Sequence, residues 1–436
     1  MNIDQLSSVR IANFVGGALA ESPSDRTLPV TNPTTGDVIG EVPMTTAAEL
    51  DQVVRRASEA QREWGETPVK DRVQVLFRMK TLMEAQTDRL AGVIIEENGK
   101  TAEEAHGSIL RAIECVEFAS SLPQIVPGGS LEVSRGVDCR TACFPLGVTA
   151  GITPFNFPLM VPLWMAPNAI ASGNAFILKP SEQTPLSALE IGRLFAEAGL
   201  PAGIFSVING DREVVEAICD HPDIAAIGFV GSTRVAQAVY TRGTASYKRV
   251  RAMGGAKNHL VVVPDADLDM TAANVVSSVT GCAGQRCMAA AVLLAVGEVD
   301  HIVDHIRANM AEIVAGRDMG PMISEQARRR VSGYIDRAGE ARVMLDARDN
   351  VAREVPAEGY FIGPAHPAEG QPLAESQARA YESEVEAKDA PGRVPRALRD
   401  DPAWQNGVDA KAVFAVLSRQ GPRQRHHARL ADGVVG

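Results

Sequence analysis

Between residues 148 and 232, short apolar segments alternate with longer amphipathic segments, and this alternation limits the fold more than any other feature of the sequence. The apolar segments predict strands and the amphipathic segments predict helices. The predicted strands are GVTAGITP, NAFILKPS, GIFSVING and IAAIGFVGS, and the predicted helices are LMVPLWMAPNAIASG, PLSALEIGRLFAEAGL and REVVEAICDHP. Strands joined by crossover helices form a parallel sheet, so the region predicts a doubly wound α/β unit that binds ligands at the carboxyl ends of its strands.

Regular patterns continue on both sides of this unit. Residues 45–65 predict a helix capped by a threonine, and residues 69–100 and 101–122 predict two more amphipathic helices. Residues 128–147 alternate like a β-hairpin around an Arg-Gly turn. Residues 257–294 begin what we expect to be a second α/β domain.

The composition limits the class of protein and its partners. The chain of 436 residues is long enough for two or three domains, and its 45% hydrophobic and 22% charged residues are typical of soluble globular proteins. Its net charge of −11 disfavours binding to nucleic acid or to anionic membranes, which both require a basic surface. The six cysteines show no C-x-x-C metal-ligand spacing, and the sequence shows no signal peptide and no apolar run of membrane-spanning length. We expect a cytoplasmic protein with reduced thiols and no metal site.

The sequence changes character at Ala365. Leu, Ile, Val and Phe make up roughly 17% of residues 365–436, which is below the level of chains that bury a core. Apart from a candidate helix in DAKAVFAVLSR (residues 409–419), this tail predicts no strand, no helix and no fixed fold.

Two cysteines in the segment SSVTGCAGQRCMAAAVLL, Cys282 and Cys287, are candidate nucleophiles. A thiol with an ordinary pKa is only slightly ionised at neutral pH, so a catalytic cysteine needs a local feature that stabilises its thiolate. The preceding Arg286 and a helix N-terminus in this segment would both favour the anion at Cys287. Cys282 has no charged neighbour in the sequence. An inert buried thiol is the alternative for each cysteine, because both lie among small and apolar residues.

Polar residues and a glycine turn lie where predicted strands end. Asn156, between two aromatic residues in TPFNFPLMVPLW, is either an oxyanion donor or a turn residue that caps the next helix. Lys179 and Glu182, in FILKPSE, either bind a ribose or form a solvated strand end. Gly231 and Ser232, in GFVGST, form a strand-to-helix turn that suits a phosphate, although a single glycine turn is weak evidence.

These segments follow the order and spacing of motifs in the aldehyde dehydrogenase superfamily, which the chain resembles from about residue 10 to Pro364. The segments ITPFNFPLMVPLW, GGAKNH, GQRCMA and GYFIGP are most similar to the CoA-acylating, methylmalonate-semialdehyde branch of that superfamily.

The resemblance implies an α/β fold of two doubly wound domains and a β-hairpin oligomerisation element. An NAD-binding domain would comprise residues 10–121 and 146–254, the hairpin element residues 122–145, and an incomplete catalytic domain residues 255–364. After GYFIGP the family continues with an E-x-F-G-P segment that contacts the nicotinamide ribose and its ring, and with a strand that closes the oligomer's sheet. Neither is visible in residues 365–436. We hypothesise that this tail is an out-of-frame reading of the gene and that an intact chain would form a homo-oligomer.

The resemblance also implies roles for individual residues. Cys287 corresponds to the catalytic nucleophile, and Asn156 corresponds to the side-chain donor of the oxyanion hole. The residues that correspond to the cofactor site are Lys179 and Glu182 at the adenosine ribose, Gly231 and Ser232 at the pyrophosphate, and Thr153, Phe155 and Phe229 along the same cleft. The Glu182 carboxylate would bind ribose hydroxyls and repel a 2′-phosphate, so the implied cofactor is NAD rather than NADP.

Hydrolytic members of the family place a glutamate before their GGK motif, where it activates the water that cleaves the thioester, but this chain has Met253 there. Because methionine cannot accept a proton, we expect the acyl-enzyme to persist until coenzyme A arrives as a second substrate. The implied reaction converts malonate or methylmalonate semialdehyde into acetyl-CoA or propionyl-CoA. Arg111 and Arg286 would bind the substrate carboxylate. The alternatives are a surface position for Arg111 and structural support of the cysteine segment for Arg286.

Two other interpretations stay open. The loss of family motifs after Pro364 would leave apolar surface uncovered, which favours a non-catalytic remnant of the family. A hydrolytic aldehyde dehydrogenase is the other interpretation, and Met253 argues against it.

Overall fold

A seven-stranded sheet forms the centre of the larger α/β unit. The computed structural model describes residues 10–126, 128–337, 343–367 and 415–418. From one edge to the other, the strands of this sheet are β11 (Arg249–Met253), β10 (Ile224–Val230), β7 (Val148–Ile152), β8 (Ala175–Lys179), β9 (Phe205–Val207), β1 (Asn13–Val15) and β2 (Ala18–Ala20). The strands from β11 to β9 are parallel, and β1 and β2 extend the edge in antiparallel orientation. The doubly wound unit predicted from the alternating segments is therefore confirmed.

Helices cover both faces of this sheet. They are α1 (Ala47–Glu66), α2 (Val69–Ala85), α3 (Thr87–Asn98), α4 (Ala102–Ser120), α6 (Met160–Ala171), α7 (Leu186–Glu197), α8 (Arg212–Asp220) and α9 (Thr233–Ala245), with the short α5 (Leu122–Ile125) after α4. Successive residues of β8 enter different cores, because side chains alternate across a strand. Phe176 and Leu178 pack with α2, α3, α4, α6 and α7, whereas Ala175 and Ile177 pack with α1, α8 and α9.

The single helix expected over residues 69–100 is wrong, because two helices, α2 and α3, form there. They meet at Gln86, which has a φ of −116° and a ψ of 20°. The Thr87 hydroxyl donates to two carbonyl oxygens of the preceding turn at 3.0 and 3.1 Å, and such a hydrogen bond tends to bend a helix. Gly99 then ends α3 in the left-handed conformation, with a φ of 74°.

An exposed antiparallel hairpin precedes the parallel strands. Its strands β5 (Gly129–Ser134) and β6 (Val137–Thr141) pair across the predicted Arg135-Gly136 turn, and every residue of both strands is exposed. Gly136 has a φ of 76°, which glycine adopts without strain. The role of this hairpin in oligomerisation stays a prediction. Another antiparallel pair, β3 (Thr27–Thr31) and β4 (Val38–Pro43), lies near the start of the chain.

A smaller parallel sheet forms the second α/β unit. Its strands, in spatial order, are β12 (Asn258–Val262), β13 (Ala290–Ala295) and β16 (Ala415–Ser418). The other elements of this part of the chain are α10 (Leu268–Thr280), α11 (Asp300–Ala311), α12 (Glu325–Arg337), β14 (Val343–Asp346) and β15 (Ala365–Pro367), of which β14 and β15 pair with each other. Leu293 of β13 packs in its core against helices α10 and α11. Within the described ranges, no helix is both long enough and apolar enough to cross a membrane.

Two strands lie in the tail, for which no strand was expected. β15 begins at Ala365, and β16 falls inside residues 409–419, so the candidate helix is wrong at residues 415–418. Segments of three or four residues have little periodicity of their own, and pairing with β14 and β13 defines these strands. Residues 368–414 and 419–436 lie outside the described residues, so the reading-frame hypothesis and the loss of E-x-F-G-P stay predictions.

Candidate active site

The carboxyl ends of β7, β8, β10 and β11 meet at one edge of the larger sheet. Thr153 follows β7, and its N–H donates to the carbonyl oxygen of Lys179, the last residue of β8, at 3.1 Å. Gly231 follows β10, and its N–H donates to the carbonyl oxygen of Met253, the last residue of β11, at 3.1 Å. The structure therefore brings these predicted positions together, as adjacent parallel strands require.

Lys179 and Glu182 form an ion pair at this edge. The Lys179 side chain is only 6% exposed, and its Nζ donates to Glu182 Oε2 at 2.9 Å. Burial alone raises the pKa of Glu182, but the charge and hydrogen bond of Lys179 outweigh it, so the pKa lies below its ordinary value. Glu182 is therefore an ionised acceptor at neutral pH. The alternative of a solvated strand end is wrong for Lys179, which is buried, whereas the Glu182 side chain is 41% exposed.

The turn after β10 requires glycine. A Cβ atom at Gly231 would lie 2.5 Å from the ring of Phe229, which is buried. Ser232 is the N-cap of α9 and makes no capping hydrogen bond through its side chain. At the adjacent strand end, Thr153 Oγ1 is buried and has no hydrogen-bond partner in the described part of the chain. The hydroxyl of Thr153 and the first N–H groups of α9, which have no acceptor within the helix, are each suited to a polar ligand.

The segment after β7 contacts the cysteine loop, which we define as residues 281–287. Asn156 Nδ2 donates to the carbonyl oxygen of Gln285 at 2.7 Å, two residues before Cys287. The interpretation of Asn156 as a helix cap is wrong, because the N-cap of α6 is Leu159 and α6 receives no side-chain cap. Asn156 Oδ1 is buried without a partner among the residues described. The structure thus joins the predicted oxyanion donor to the loop of the predicted nucleophile.

Cys287 is half-buried at the end of this loop. Asn258 Nδ2 donates to the carbonyl oxygens of Cys287 and Ala289 at 2.9 Å each, which fixes the backbone on the other side of the thiol. A helix N-terminus, one of the two features that would favour the thiolate, does not occur at Cys287, because the chain turns there and enters strand β13 at Ala290. Arg286 is the charged neighbour that the sequence predicted.

Cys282 is buried and contacts a lysine that the sequence did not indicate. Lys100 Nζ donates to Cys282 Sγ at 3.1 Å, and both residues are only 3% exposed. The same ammonium lies 4.3 Å from the centre of the Phe157 ring. Cys282 and Ala283 have positive φ angles of 52° and 50°, a conformation that strains residues other than glycine. Cys282 has no charged neighbour in the sequence, but the fold places the Lys100 ammonium against its sulfur.

Glu104 connects Arg286 to helix α4. Arg286 Nη2 donates to Glu104 Oε1 at 2.8 Å, and the N–H of Cys282 donates to the same oxygen at 2.6 Å. Glu104 is also the acidic partner of Thr101 in the capping box of α4. The guanidinium lies so close to Gly281 that a Cβ atom there would be 2.2 Å away. Arg286 therefore supports the cysteine loop.

Arg286 and Arg111 line the same cleft, which has a volume of about 620 Å³. Phe157, Met160 and residues of α10 form part of its wall. Arg111 is exposed on α4 and forms an ion pair with Glu114 at 2.8 Å, and this hydrogen bond raises the pKa of Arg111. Arg111 is thus a surface helix residue that also borders the cleft.

Comparison with known proteins identifies the family. The model of the aldehyde dehydrogenase family matches residues 20–370 of this chain. The chain belongs to the aldehyde dehydrogenase family. The predicted α/β fold and the prediction of an enzyme are thereby confirmed.

Relatives of this aldehyde dehydrogenase carry related names. Malonate-semialdehyde dehydrogenase 2 from Geobacillus thermodenitrificans is 46% identical over 365 residues, which cover 81% of this chain and 75% of that protein. Malonate-semialdehyde dehydrogenase from Halalkalibacterium halodurans is 44% identical over 363 residues, with the same coverage. The crystal structure of methylmalonate-semialdehyde dehydrogenase from Oceanimonas doudoroffii has a TM-score of 0.83 at 35% identity and covers 94% of this chain and 80% of its own. A crystal structure from Sinorhizobium meliloti 1021, complexed with NAD, has a TM-score of 0.85 at 34% identity. It covers 95% of this chain and 81% of its own, and its protein is provisionally assigned as methylmalonate-semialdehyde dehydrogenase.

Sequence reasoning missed the side chains that hold the loops of this aldehyde dehydrogenase in place. Lys100 and Glu104 contact the cysteine loop, and Asn98 Nδ2 donates to the carbonyl oxygen of Phe155 at 2.9 Å, next to the predicted oxyanion donor. The segment EENGKTAEE contains the signals that locate these residues at a helix boundary, namely the left-handed Gly99 and the T-x-x-E capping box. No local signal indicates that this boundary lies beside a loop about 180 residues away.

Proposed function

We propose that the chain is an NAD-dependent, CoA-acylating dehydrogenase that oxidises malonate or methylmalonate semialdehyde through a thioester on Cys287. The observation that carries the proposal is the hydrogen bond from Asn156 to Gln285, because it joins the oxyanion donor to the loop of the nucleophile. The relatives named malonate-semialdehyde dehydrogenase, at 46% and 44% identity, support the substrate class.

The edge of the larger sheet fits the adenosine and pyrophosphate parts of NAD. The buried hydroxyl of Thr153, which lacks a partner among the described residues, is suited to a polar ligand. The ionised carboxylate of Glu182, held by Lys179, would accept hydrogen bonds from ribose hydroxyls and repel a 2′-phosphate, which favours NAD over NADP. When bound, NAD supplies the hydride acceptor. The other proposed contacts are the turn of Gly231 and Ser232 and the aromatic residues Phe155 and Phe229.

Cys287 would act as the nucleophile. Its thiolate would add to the aldehyde carbon, and the resulting oxyanion would accept hydrogen bonds from Asn156 Nδ2 and from the N–H of Cys287. The amide of Asn156 uses one hydrogen for Gln285 and has a second for the oxyanion. Each donor of this kind is worth roughly 3 kcal/mol of transition-state stabilisation in other enzymes. Departure of hydride from the same carbon would leave a thioester on Cys287 Sγ.

Met253 favours transfer of the acyl group to a thiol over hydrolysis. Its carbonyl oxygen holds Gly231 in place, but its thioether cannot accept the proton of an attacking water. The thiol of coenzyme A needs less help, because its attack exchanges one thioester for another. Loss of the substrate carboxylate as CO₂ then gives acetyl-CoA from malonate semialdehyde and propionyl-CoA from methylmalonate semialdehyde.

Arg111 and Arg286 would recognise the carboxylate of the semialdehyde. Both line the cleft of about 620 Å³, which exceeds the size of a three- or four-carbon substrate. The pair of Arg111 with Glu114 is an exposed i,i+3 contact that solvent screens, so a substrate carboxylate can compete for this guanidinium. Arg286 would contribute its charge from beside the nucleophile while Glu104 holds it.

Single-turnover NADH release, with and without coenzyme A, tests the proposal. With semialdehyde and NAD but no CoA, we expect a burst of at most about one NADH per active site, because the thioester persists. Added CoA should give continuous turnover. Cys287→Ala should lose the burst. Cys282→Ser, the control in the same loop that keeps a side-chain acceptor for Lys100, should keep it.

The other outcomes identify the alternatives. Folded protein without a burst at any CoA concentration would contradict the proposal and support a non-catalytic remnant. Continuous turnover without CoA would support a hydrolytic aldehyde dehydrogenase.

A further inference from the structure

Glu97 is a buried carboxylate that the proposed reaction does not use. It is 0% exposed near the end of α3, and its Oε2 accepts a hydrogen bond from the N–H of Leu186 at 2.6 Å. Its Oε1 accepts one from the N–H of Ser187 at 2.9 Å and another from the Ser187 hydroxyl. All three donors belong to the first two residues of α7.

Helix α7 needs this external acceptor. The first N–H groups of a helix have no acceptor within the helix, and the N-cap of α7 is Pro185, which makes no side-chain capping hydrogen bond. A carboxylate at a helix N-terminus also interacts favourably with the helix dipole. Glu97 therefore caps α7 from a different helix and joins the start of α7 to the end of α3.

The start of α7 determines the position of the loop of residues 180–185. One end of this loop continues from Lys179 in β8, and the other end enters α7 at Leu186. Within it, the N–H of Thr184 donates to the carbonyl oxygen of Ser181 at 3.2 Å, which forms a tight turn. Glu182 lies in this turn, so a shift of Leu186 would be transmitted to its carboxylate.

We propose that Glu97 is a positioning residue for the dinucleotide, which sets the place of Glu182 by capping α7. The inference rests on the proposed function, in which Glu182 binds the adenosine ribose. Two neighbouring side chains at the junction of α3 and α4 contact other loops. Asn98 donates to the carbonyl oxygen of Phe155, and Lys100 contacts the cysteine loop, so these loops do not depend on Glu97 for their support. Replacement of Glu97 should therefore change cofactor binding and leave the reactivity of the nucleophile unchanged.

Binding of NAD to the full chain, measured by titration calorimetry, tests this inference. In Glu97→Gln, the amide nitrogen faces an N–H donor, so we expect NAD binding to weaken by ~4-fold, which is less than the loss expected when Glu182 itself is replaced. The amides of Leu186 and Ser187 should exchange with deuterium faster. Alkylation of Cys287 by iodoacetamide and kcat at saturating NAD should both stay within about twofold of the wild type.

Two further variants keep the inference testable if Glu97→Gln does not fold. Ser187→Ala removes only the hydroxyl donor and should weaken NAD binding by ~3-fold. Glu96→Gln changes the adjacent, half-buried glutamate, which accepts none of the three α7 hydrogen bonds, and should leave the Kd for NAD unchanged.

The outcomes separate this inference from the proposed function. If folded Glu97→Gln and Ser187→Ala bind NAD with the same Kd as the wild type, the inference is wrong and the proposed function is unaffected. Equal losses in NAD binding and in Cys287 alkylation would also overturn it, because they would indicate a general structural role. Folded wild-type protein that does not bind NAD would overturn the proposed function and this inference with it.

Discussion

The two sides of the candidate site are held in place in different ways. On the nucleotide side, Lys179 ends β8 and Gly231 follows β10, and each is fixed by a main-chain hydrogen bond to the end of an adjacent parallel strand, β7 for Lys179 and β11 for Gly231. On the cysteine side, the loop of residues 281–287 contains two non-glycine residues with positive φ, and charged side chains of the α3–α4 junction hold it, among them Lys100 and Glu104.

The difference shows which parts of the site depend on single side chains. Main-chain hydrogen bonds support the strand ends of the nucleotide side, so one substitution displaces them little. The turn that carries Glu182 lies outside the strands and depends on the cap that Glu97 provides to α7. A strained loop costs roughly 1–3 kcal/mol for each such residue and persists only where its surroundings fix it. We therefore expect substitutions at the α3–α4 junction to alter the cysteine loop and the nucleotide side independently.

The largest effect should separate the two cysteines of the loop. Cys287→Ala should reduce single-turnover NADH formation by at least about 10⁴-fold, because no other group in the proposed mechanism forms the thioester. Its Kd for NAD should not change, since Cys287 lies on the other side of the site. Stopped-flow fluorescence of NADH and titration calorimetry measure the two quantities. A normal burst in Cys287→Ala with a lost burst in Cys282→Ser, which keeps an acceptor for Lys100, would assign the nucleophile to Cys282.

The free energy of unfolding should depend on pH through Glu97, which supports the nucleotide side. Burial raises the pKa of Glu97 to about 7 from an ordinary 4.5. Between these values the unfolded chain binds fewer protons than the folded chain, so the contribution of Glu97 to the free energy of unfolding decreases as the pH rises from about 4.5 to about 7. The decrease amounts to up to about 3 kcal/mol. Above about pH 7 this contribution no longer changes with pH.

Urea unfolding of wild type and Glu97→Gln at a series of pH values measures this contribution as a difference. The wild-type free energy of unfolding should decrease relative to the variant across this window. A constant difference from pH 4.5 to pH 7 would show that Glu97 is ionised throughout.

A moderate effect should come from Glu104 on the cysteine side. Glu104→Gln keeps the size of the side chain but removes the charge that holds Arg286, so we expect a loss of about 2 kcal/mol in the free energy of unfolding and slower alkylation of Cys287. The Kd for NAD should stay the same. Glu103→Gln, which changes the exposed neighbour, is the matched control. Equal effects of the two variants on alkylation would contradict the proposed support of the loop.

The smallest effect should come from the ribose contact. Glu182→Gln should weaken NAD binding by ~5-fold, or about 1 kcal/mol, because a neutral amide replaces a charged acceptor. Binding of NADP should improve relative to NAD, since the repulsion of the 2′-phosphate is removed. Titration calorimetry with both nucleotides measures the ratio, and an unchanged ratio would exclude Glu182 as the determinant of cofactor choice.

Local patterns in the sequence predicted the nucleotide side well. The alternation of apolar segments gave the strand ends, and Lys179, Glu182 and Gly231 follow from them, because a parallel sheet brings its strand ends to one edge. The roles proposed for these residues came from the family resemblance. The break at Gln86 was missed because the amphipathic pattern continues across it.

The cysteine side was predicted less well. Its nucleophile candidate was found by motif, but Lys100 and Glu104 contact it across about 180 residues, and nothing in the local sequence specifies such a contact. Strand β16 was missed for a related reason, since its partner β13 lies more than 100 residues earlier in the chain.

Trapping of the acyl group tests whether Cys287 carries the thioester. The protein is incubated with methylmalonate semialdehyde and NAD, denatured in acid without CoA, digested and analysed by mass spectrometry. We expect an acyl adduct on Cys287 that disappears when CoA is added before the acid. An adduct on Cys282 instead, or one on Cys287 that CoA leaves unchanged, would contradict it.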